Sequence, residues 1–365
     1  MIESLEIKNY RNLKHLTLHK LGRINLFVGK NNTGKTSVLE AISIYSKKGS
    51  LQWILQLLED RGEYNRRTDN FRNDQTEYNI SVLKNLFYKR NIGNPIFEQI
   101  YINPLESDKD NIFLSFIWFY DKIESLEVGK RRERIMNLEM IDENYLLGFR
   151  LISSGIPQIR PLSASMRQMI INSETSSIVN NVQFVRTANI DRDINSELWD
   201  SIALSNKEED VTNALGIIEP NLERISFIGQ GNERTAVALI KNEELRIPLK
   251  SMGDGINRIL TIILAMVNCE NGILLIDEFE NGLHYSVQES LWEVIFATAY
   301  KLNLQVFVTT HSNDCINAFS RVMERFPEYS DGRMIRLDNK NGEISAKEFE
   351  ASKLQIADEN GIELR

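Results

Sequence analysis

The chain has 365 residues, of which 42% are hydrophobic and 26% are charged, the balance of a globular protein with one large domain or two ordinary ones. A formal net charge of −8 argues against an extended nucleic-acid surface but leaves room for a local basic strip. The chain has two cysteines outside any CxxC pair and four histidines, which argues against a disulfide framework and a metal cluster. We find no signal-peptide core and no apolar run of about 18 residues, which argues against membrane contact. These features favour a cytoplasmic protein.

The first elements in chain order are short strands. Apolar residues alternate over residues 5–18, and residues 24–28 form a compact apolar strand. A glycine-bounded loop follows, and then a helix is predicted over about 35–46. Farther along, the apolar stretches 112–120, 145–153 and 169–172 predict strands of an antiparallel sheet, because charged or glycine-containing connections separate them.

The C-terminal half predicts alternating helices and strands. Residues 191–219 favour a helical arm that ends before Pro220, and 223–229 with 235–240 favour a hairpin. The later predicted elements are a helix over 255–269, a strand over 273–277, a helix over 286–301, a strand over 305–310 and a closing strand over 334–337. Apolar strands that alternate with helices indicate a buried parallel sheet.

Residues 29–36 match the phosphate-binding pattern GxxxxGK[ST] in full, between a predicted strand and a predicted helix. The glycines let backbone N–H groups turn toward phosphates, and the helix N-terminus adds a positive dipole. The pattern predicts that Lys35 reaches the β- and γ-phosphates of ATP and that Thr36 offers its hydroxyl to Mg²⁺. The predicted nucleotide-binding residues of this loop are Gly29, Asn31, Asn32, Thr33, Gly34, Lys35, Thr36 and Ser37.

A second motif is the acidic pair that follows the apolar strand ILLI. A buried strand would deliver Asp277 and Glu278 to the edge of a parallel sheet, where open α/β folds bind their ligands. We expect Asp277 to hold Mg²⁺, together with Thr36, and Glu278 to polarise the attacking water as a catalytic residue.

The segment SMGDGINRILTI (251–262) resembles the signature of ABC-type ATPases, in the SxGDG form of RecF-like and OLD-like members. The separation of 241 residues between Thr36 and Asp277 is also typical of ABC-type heads. The resemblance implies that the signature binds the γ-phosphate held by the P-loop of another subunit, at a glycine-rich helix N-terminus. The residues that would do so are Ser251, Gly253, Asp254 and Gly255.

Two further segments resemble motifs of the same families. ENGLH (280–284) resembles the D-loop at the dimer interface, where His284 is either functional or a packing residue. TTHSND (309–314) resembles the switch segment, which makes His311 a catalytic residue that contacts the γ-phosphate and acts with Glu278 and Lys35.

The N-terminal IKNYRNLK (7–14) resembles the RecF-like opening. On that resemblance Arg11 lines the nucleotide pocket; the alternative is a surface arginine on an edge strand. Gln99 and Gln183 both remain open as the Q-loop glutamine, and neither is assigned to the site.

Together these motifs predict an α/β fold, an ABC-type P-loop ATPase head with a mostly parallel central sheet. An antiparallel β-subdomain and a helical arm are expected between the P-loop and the signature. The expected boundaries are 1–46 and 225–345 for two halves of the ATPase core, 47–190 for the antiparallel part, 191–224 for the arm and 346–365 for a polar tail.

Residues 198–227 resemble the corresponding arm of OLD-like AAA ATPases, which include ATPase subunits of phage-defence systems such as PARIS and Septu. OLD proteins proper continue into a Toprim nuclease domain, and too few residues follow the switch segment here to hold one. We therefore expect a separate effector protein, such as a Toprim nuclease.

The resemblance implies Mg²⁺-dependent ATP hydrolysis that drives assembly of a homodimer or a higher oligomer, up to a hexamer. The first interpretation is the ATPase and sensor subunit of an anti-phage defence system. The alternative is a RecF-like DNA-repair ATPase that binds DNA through Lys130–Arg134 or Arg61–Arg72, clusters that otherwise form solvated faces. The SxGDG signature argues against a third reading, a transporter subunit.

Overall fold

The computed structural model describes most of the chain. The described residues are 1–66, 69, 74–92, 98–107, 110–126, 129–137, 145–171, 181–187, 192–229, 234–241, 246–327 and 331–349.

A six-stranded, mostly parallel sheet forms the centre of the fold. Its strands are β3 (Ile24–Val28), β9 (Val182–Val185), β13 (Ile273–Ile276), β14 (Gln305–Thr310), β15 (Gly332–Lys340) and β16 (Glu343–Phe349). The order across the sheet is β16-β15-β3-β14-β13-β9, and only the β15–β16 pair is antiparallel. The carboxyl ends of β3, β13, β14 and β9 therefore meet at one edge, which is where such sheets bind ligands.

A second sheet is antiparallel throughout. Its strands are β1 (Leu5–Tyr10), β2 (Leu13–Leu18), β4 (Ile100–Asn103), β5 (Ile112–Leu126), β6 (Gly129–Asn137), β7 (Leu146–Ser153) and β8 (Ile156–Pro161). The order is β2-β1-β4-β5-β7-β8, with β6 paired to β5. A third sheet, also antiparallel, contains β10 (Leu222–Ile228), β11 (Thr235–Ile240) and β12 (Arg246–Pro248).

The described helices pack around these sheets. They are α1 (Lys35–Ser46), α2 (Leu51–Asp60), α3 (Gln75–Leu83), α4 (Met166–Ile171), α5 (Arg192–Asp200), α6 (Lys207–Ile218), α7 (Asp254–Val267), α8 (Tyr285–Lys301) and α9 (Asn313–Arg325). Ser50 and Ser312 cap α2 and α9 through their side chains, whereas α1 and α7 begin after Gly34 and Gly253 without a side-chain cap. None of the helices in the described ranges has the length and apolar character that a bilayer crossing requires.

The central sheet separates two apolar cores, because successive side chains of a strand point to opposite faces. Phe27 and Phe307 belong to the core shared with α1, α2 and the antiparallel sheet. Leu26 and Val306 belong to the core shared with α7, α8 and α9. The strands β3, β13 and β14 are buried on both faces, which explains the wholly apolar sequence of β13 and the largely apolar sequence of β3.

The observed elements confirm several predictions and correct others. The strand over 24–28, the helix over 35–46 and the strand over 305–310 are confirmed. The strand predicted at 169–172 is wrong, because residues up to Ile171 form the helix α4.

Other differences concern elements that the sequence analysis did not separate. Helices α2 and α3 lie within the part expected to be antiparallel, and the predicted arm contains two helices rather than one. The polar tail expected from residue 346 begins inside β16, and residues 350–365 lie outside the described part. The domain boundaries themselves stay predictions.

Candidate functional site

The P-loop joins β3 to α1 in a tightly enclosed turn. Gly29 has φ 147°, and a Cβ placed there would lie 2.5 Å from the carbonyl oxygen of Leu337. Gly34, with φ 87°, is the residue before α1. Both positions therefore require glycine, and the uncapped amides of α1 are left facing the loop, as in an anion-binding helix N-terminus.

The Lys35 ammonium lies inside the loop. It donates hydrogen bonds to the carbonyl oxygens of Gly29, at 2.6 Å, and of Lys30, at 2.9 Å. Burial lowers the pKa of Lys35, and the nearby carboxylates of Glu280, Asp277 and Glu278 oppose that shift. The loop carbonyls thus hold the ammonium group inside the loop.

Thr36 and Asp277 meet although they are 241 residues apart in the chain. The Thr36 hydroxyl lies 3.0 and 3.1 Å from the two carboxylate oxygens of Asp277. The Thr309 hydroxyl donates to Asp277 at 2.6 Å and accepts a hydrogen bond from the Glu278 backbone N–H at 2.8 Å. The pair suits Mg²⁺, an ion that proteins bind through few carboxylates because substrate phosphates and water complete its shell. In the described ranges no three His, Cys, Asp or Glu residues gather to form a metal site of protein ligands alone.

Glu278 has a left-handed backbone, with φ 49°. Such a conformation costs about 1–3 kcal/mol in a residue other than glycine and persists only when its surroundings enforce it. The guanidinium of Arg258 in α7 supplies part of that constraint, since it donates to the carbonyl oxygens of Asp277 at 2.7 Å and Glu278 at 3.4 Å.

Arg258 was missed by the sequence analysis. It is 1% exposed and also donates to the carbonyl oxygen of Arg186 at 2.5 Å. The available signal was one charged residue near the start of a helix whose later positions, from Ile259 onward, are mostly apolar. A lone arginine of that kind does not reveal its partners, because they lie on other segments.

His311 contacts a carboxylate that the sequence analysis also missed. Its Nδ1 lies 2.8 Å from Glu280, which accepts hydrogen bonds from the His311 backbone N–H at 2.8 Å and the Thr310 hydroxyl at 2.7 Å. The structure places this histidine at the carboxyl end of β14, as expected, but outside the cavity that the P-loop lines.

A cavity of about 570 Å³ contains most of the predicted site. The predicted residues that line it are Arg11, Asn31, Asn32, Thr33, Gly34, Lys35, Thr36, Ser37, Asp277 and Glu278. Residues that were not predicted also line it, namely Asn12, Arg61, Glu63, Asn85, Phe87, Lys89 and Arg90.

The signature residues do not line this cavity. Ser251 and Gly253 are exposed, and the position of a Cβ on Gly255 would lie 2.7 Å from the carbonyl oxygen of Gly282, in the predicted D-loop. Asp254 begins α7, and its side chain lies outside what the structure describes. The His284 side chain caps α8 by accepting a hydrogen bond from the Ser286 backbone N–H, so a structural role is sufficient to explain this histidine.

Arg11 lines the cavity and is also part of a buried ion-pair network. Its side chain is 7% exposed and pairs with Glu40 at 2.7 Å and Glu63 at 2.9 Å. It is therefore not a surface arginine of an edge strand. Burial raises the pKa of Tyr10, whose hydroxyl donates to Glu40 at 3.1 Å.

A second cavity of about 570 Å³ lies on the other side of the acidic pair. Thr36, Asp277 and Glu278 line both cavities, and Gln183 lines only the second. Gln99 lines neither, and its carbonyl oxygen accepts from the Asn9 side chain at 3.0 Å. Of the two candidates for the Q-loop, the geometry thus favours Gln183.

Known proteins resemble this chain over most of its length. The model of a protein family described as "AAA domain, putative AbiEii toxin, Type IV TA system" matches residues 24–316. An "ATP/GTP phosphatase" of Helicobacter pylori is 25% identical over 344 residues, which cover 88% of each chain. The "DNA replication and repair protein RecF" of Streptococcus pyogenes is 24% identical over 360 residues, which cover 86% of this chain and 92% of the relative.

A solved structure shares the fold. The crystal structure of the SmcHead bound to the C-winged helix domain of ScpA matches with a TM-score of 0.51 and 13% identity, over 97% of this chain and 99% of that chain. The α/β fold of an SMC-type ATPase head, with parallel and antiparallel sheets, is therefore shown. That likeness concerns the fold alone.

Proposed function

The chain belongs to the family of AAA domains whose model it matches, and on that premise we propose that it binds ATP with Mg²⁺ and hydrolyses it. One observation carries the proposal. The Thr36 hydroxyl and the Asp277 carboxylate converge at the mouth of a complete P-loop, and Glu278 follows directly. A P-loop, a metal-binding acid and an adjacent base are the parts that phosphoryl transfer to water needs.

Each residue has a separate task in this reaction. Lys35 and the amides of α1 bind the phosphates, and Glu278 orients the attacking water and accepts its proton. Thr36 and Asp277 would hold Mg²⁺, which supplies positive charge to the phosphate oxygens when it is bound. Arg258 keeps the backbone of Glu278 in its left-handed conformation and so aims the carboxylate.

The Glu278→Gln variant tests this assignment. The amide cannot accept the proton, so we expect hydrolysis to slow by roughly 10²–10⁴-fold while ATP still binds. Phosphate release and ATP affinity would be measured separately on the same preparation. Turnover at the wild-type rate would refute the role of Glu278.

We further propose that two subunits complete the site between them. The signature residues Ser251 and Gly253 are exposed and lie outside the P-loop cavity, at the start of a helix without a side-chain cap. A second chain can therefore bring its own signature to the γ-phosphate, which would make dimerisation depend on ATP. Hydrolysis would then release the subunits.

The biological role that we propose is an ATPase and sensor subunit of a bacterial anti-phage system, acting with a separate effector protein. The family description, which names a toxin of a toxin–antitoxin system, fits a chain that acts with a second protein. Trapping the ATP-bound Glu278→Gln protein in its native host and identifying a stoichiometric partner by mass spectrometry tests this role. Recovery of the chain alone, or with DNA, would contradict it.

DNA binding is the second candidate, and a two-stranded ribbon favours it. Strands β5 and β6 pair as far as Leu126 and Gly129, whereas β7 pairs with β5 only as far as Phe119. Beyond that point the ribbon is paired to no other described strand. The major groove of DNA admits a ribbon of this width, and the relative named for DNA replication and repair, RecF, matches most of the chain.

Strand alternation sorts the basic cluster of the ribbon into two faces. Lys130, Arg132 and Arg134 occupy alternate positions on one face. On the other face Arg131 is directly opposite Glu124 in the register. If the ribbon binds through the face that holds Lys130, Arg132 and Arg134, Arg131 lies on the face turned away, and we expect it to contribute less to DNA binding.

The pair of variants Arg132→Glu and Arg131→Glu tests this candidate. If the ribbon binds duplex DNA, the Arg132 variant should weaken binding and reduce the slope of log affinity against log salt by about 1 per lost contact, with a smaller effect for the Arg131 variant. Equal binding by wild type and both variants, or no binding by wild type, would exclude the ribbon as a DNA site.

A further inference from the structure

One wall of the P-loop cavity is the turn at residues 84–90, which no motif identified. It consists of two short 3₁₀ segments, Lys84–Leu86 and Tyr88–Arg90. The turn is tied to Arg11 from both sides: the Arg11 backbone N–H donates to Leu86 at 2.8 Å, and the Lys89 N–H donates to Arg11 at 3.3 Å. These backbone hydrogen bonds hold the turn in place against the wall of the cavity that Arg11 lines.

Lys89 and Arg90 have consecutive left-handed backbones, with φ of 53° and 56°. Neither is glycine, so the conformation carries a strain that ordinary turns avoid. Arg11, which faces them, has φ 52°, and Glu278 on the same cavity has φ 49°. Strain of this kind collects at ligand sites because the fold holds side chains there in position for a ligand.

The charges of the cavity are unevenly neutralised. Arg11 and Arg61 pair with buried or half-buried carboxylates, and Lys35 bonds to loop carbonyls. Lys89 and Arg90 are exposed at the cavity, and the Lys89 ammonium lies 5.3 Å from the Tyr88 ring centroid. Within the described part of the chain neither of the two has a carboxylate at ion-pair distance.

From these observations we infer that Lys89 and Arg90 bind the phosphate groups of the nucleotide, opposite the P-loop. The inference rests on the proposed ATP-binding function and adds a second source of positive charge to it. A polyphosphate is the ligand that both walls of the cavity fit, because one wall offers backbone amides and Lys35 and the other offers two cations without a carboxylate at ion-pair distance among the described residues.

The test compares the double variant Lys89→Ala/Arg90→Ala with Lys84→Ala. Lys84 belongs to the same turn but does not line the cavity, so it controls for loss of a nearby charge. ATP affinity is measured at low and moderate salt. We expect the double variant to lose affinity by about 10-fold or more at low salt, with a smaller loss as salt screens the charges, and the control to bind like wild type.

Lys89→Gly separates the charge from the backbone strain. Glycine relieves the left-handed strain, so this variant should melt at a higher temperature than Lys89→Ala while both lose ATP affinity equally. Two outcomes would contradict the inference. If the wild-type protein and the double variant bind ATP equally well, Lys89 and Arg90 are only solvated cations, and the inference fails while the proposed ATP-binding function stands. If the wild-type protein does not bind ATP, both the inference and the proposed function fail.

Discussion

Glu40 lies fully buried on α1, four residues after Thr36, and therefore on the same face of the helix. It pairs with Arg11 and Arg61, both at 2.7 Å, and accepts from the Tyr10 hydroxyl. Three segments that are distant in sequence thus meet at one carboxylate behind the P-loop. A buried charge of this kind is tolerated only because its partners remain in place.

At this residue scale we predict the effect of Glu40→Gln. The change leaves the buried Arg11 without a full counter-charge, so unfolding free energy should fall by about 3 kcal/mol. The matched control is Glu343→Gln, which removes the exposed pair with Lys14 and should cost about 0.5 kcal/mol or less. Urea unfolding measures both, and equal losses would show that burial does not govern the network.

At the scale of elements, α7 links the signature to the acidic pair. The helix begins at the signature, and about one turn later Arg258 reaches the carbonyls that follow β13 and β9. A shift of α7 when a second subunit binds would therefore move the backbone of Glu278. This gives a physical route from the proposed subunit interface to the proposed catalytic residue.

We predict that Arg258→Met lowers kcat by about 10- to 100-fold, because a displaced catalytic group costs that much. ATP affinity should change little, since Arg258 does not line the P-loop cavity. Arg258→Lys should be intermediate, as one ammonium cannot reach all three carbonyls. Wild-type kcat in both variants would show that Arg258 serves packing alone.

At the scale of the whole molecule, the P-loop and the segment proposed as the signature lie apart within one subunit, and we have proposed that a second subunit brings them together. The P-loop cavity excludes Ser251, Gly253 and His311. ATP hydrolysis by a mixture of two inactive variants distinguishes a monomeric enzyme from a dimer with shared sites.

Lys35→Ala should abolish ATP binding at its own P-loop, and Ser251→Arg should block the signature without affecting the P-loop of the same chain. Each variant alone should be inactive. An equal mixture should recover up to about a quarter of wild-type hydrolysis, because half of the dimers are mixed and each mixed dimer keeps one intact site. No recovery, with both variants folded, would contradict the shared site.

Local patterns were sufficient for the P-loop, the acidic pair and the buried strands. The phosphate cradle is made of consecutive residues, and strands that are buried on both faces, such as β3 and β13, consist mostly of apolar residues. The apolar run at 169–172 misled the prediction, since a run that short does not distinguish a helix from a strand. The strand β16 was missed because it lies at the edge of the sheet, where its exposed residues are polar and resemble those of an unstructured tail.

The sequence by itself determined the α/β class of the fold and its relation to P-loop ATPases, because the P-loop and the acidic strand are each encoded in a few neighbouring residues. Only the tertiary structure decided which distant groups support them. Glu40 and Arg258 acquire their contacts from partners on other segments of the chain, and Lys89 reaches the P-loop cavity from a segment distant in sequence. Such contacts depend on how the sheets and helices pack, and no local spacing of residues records that packing.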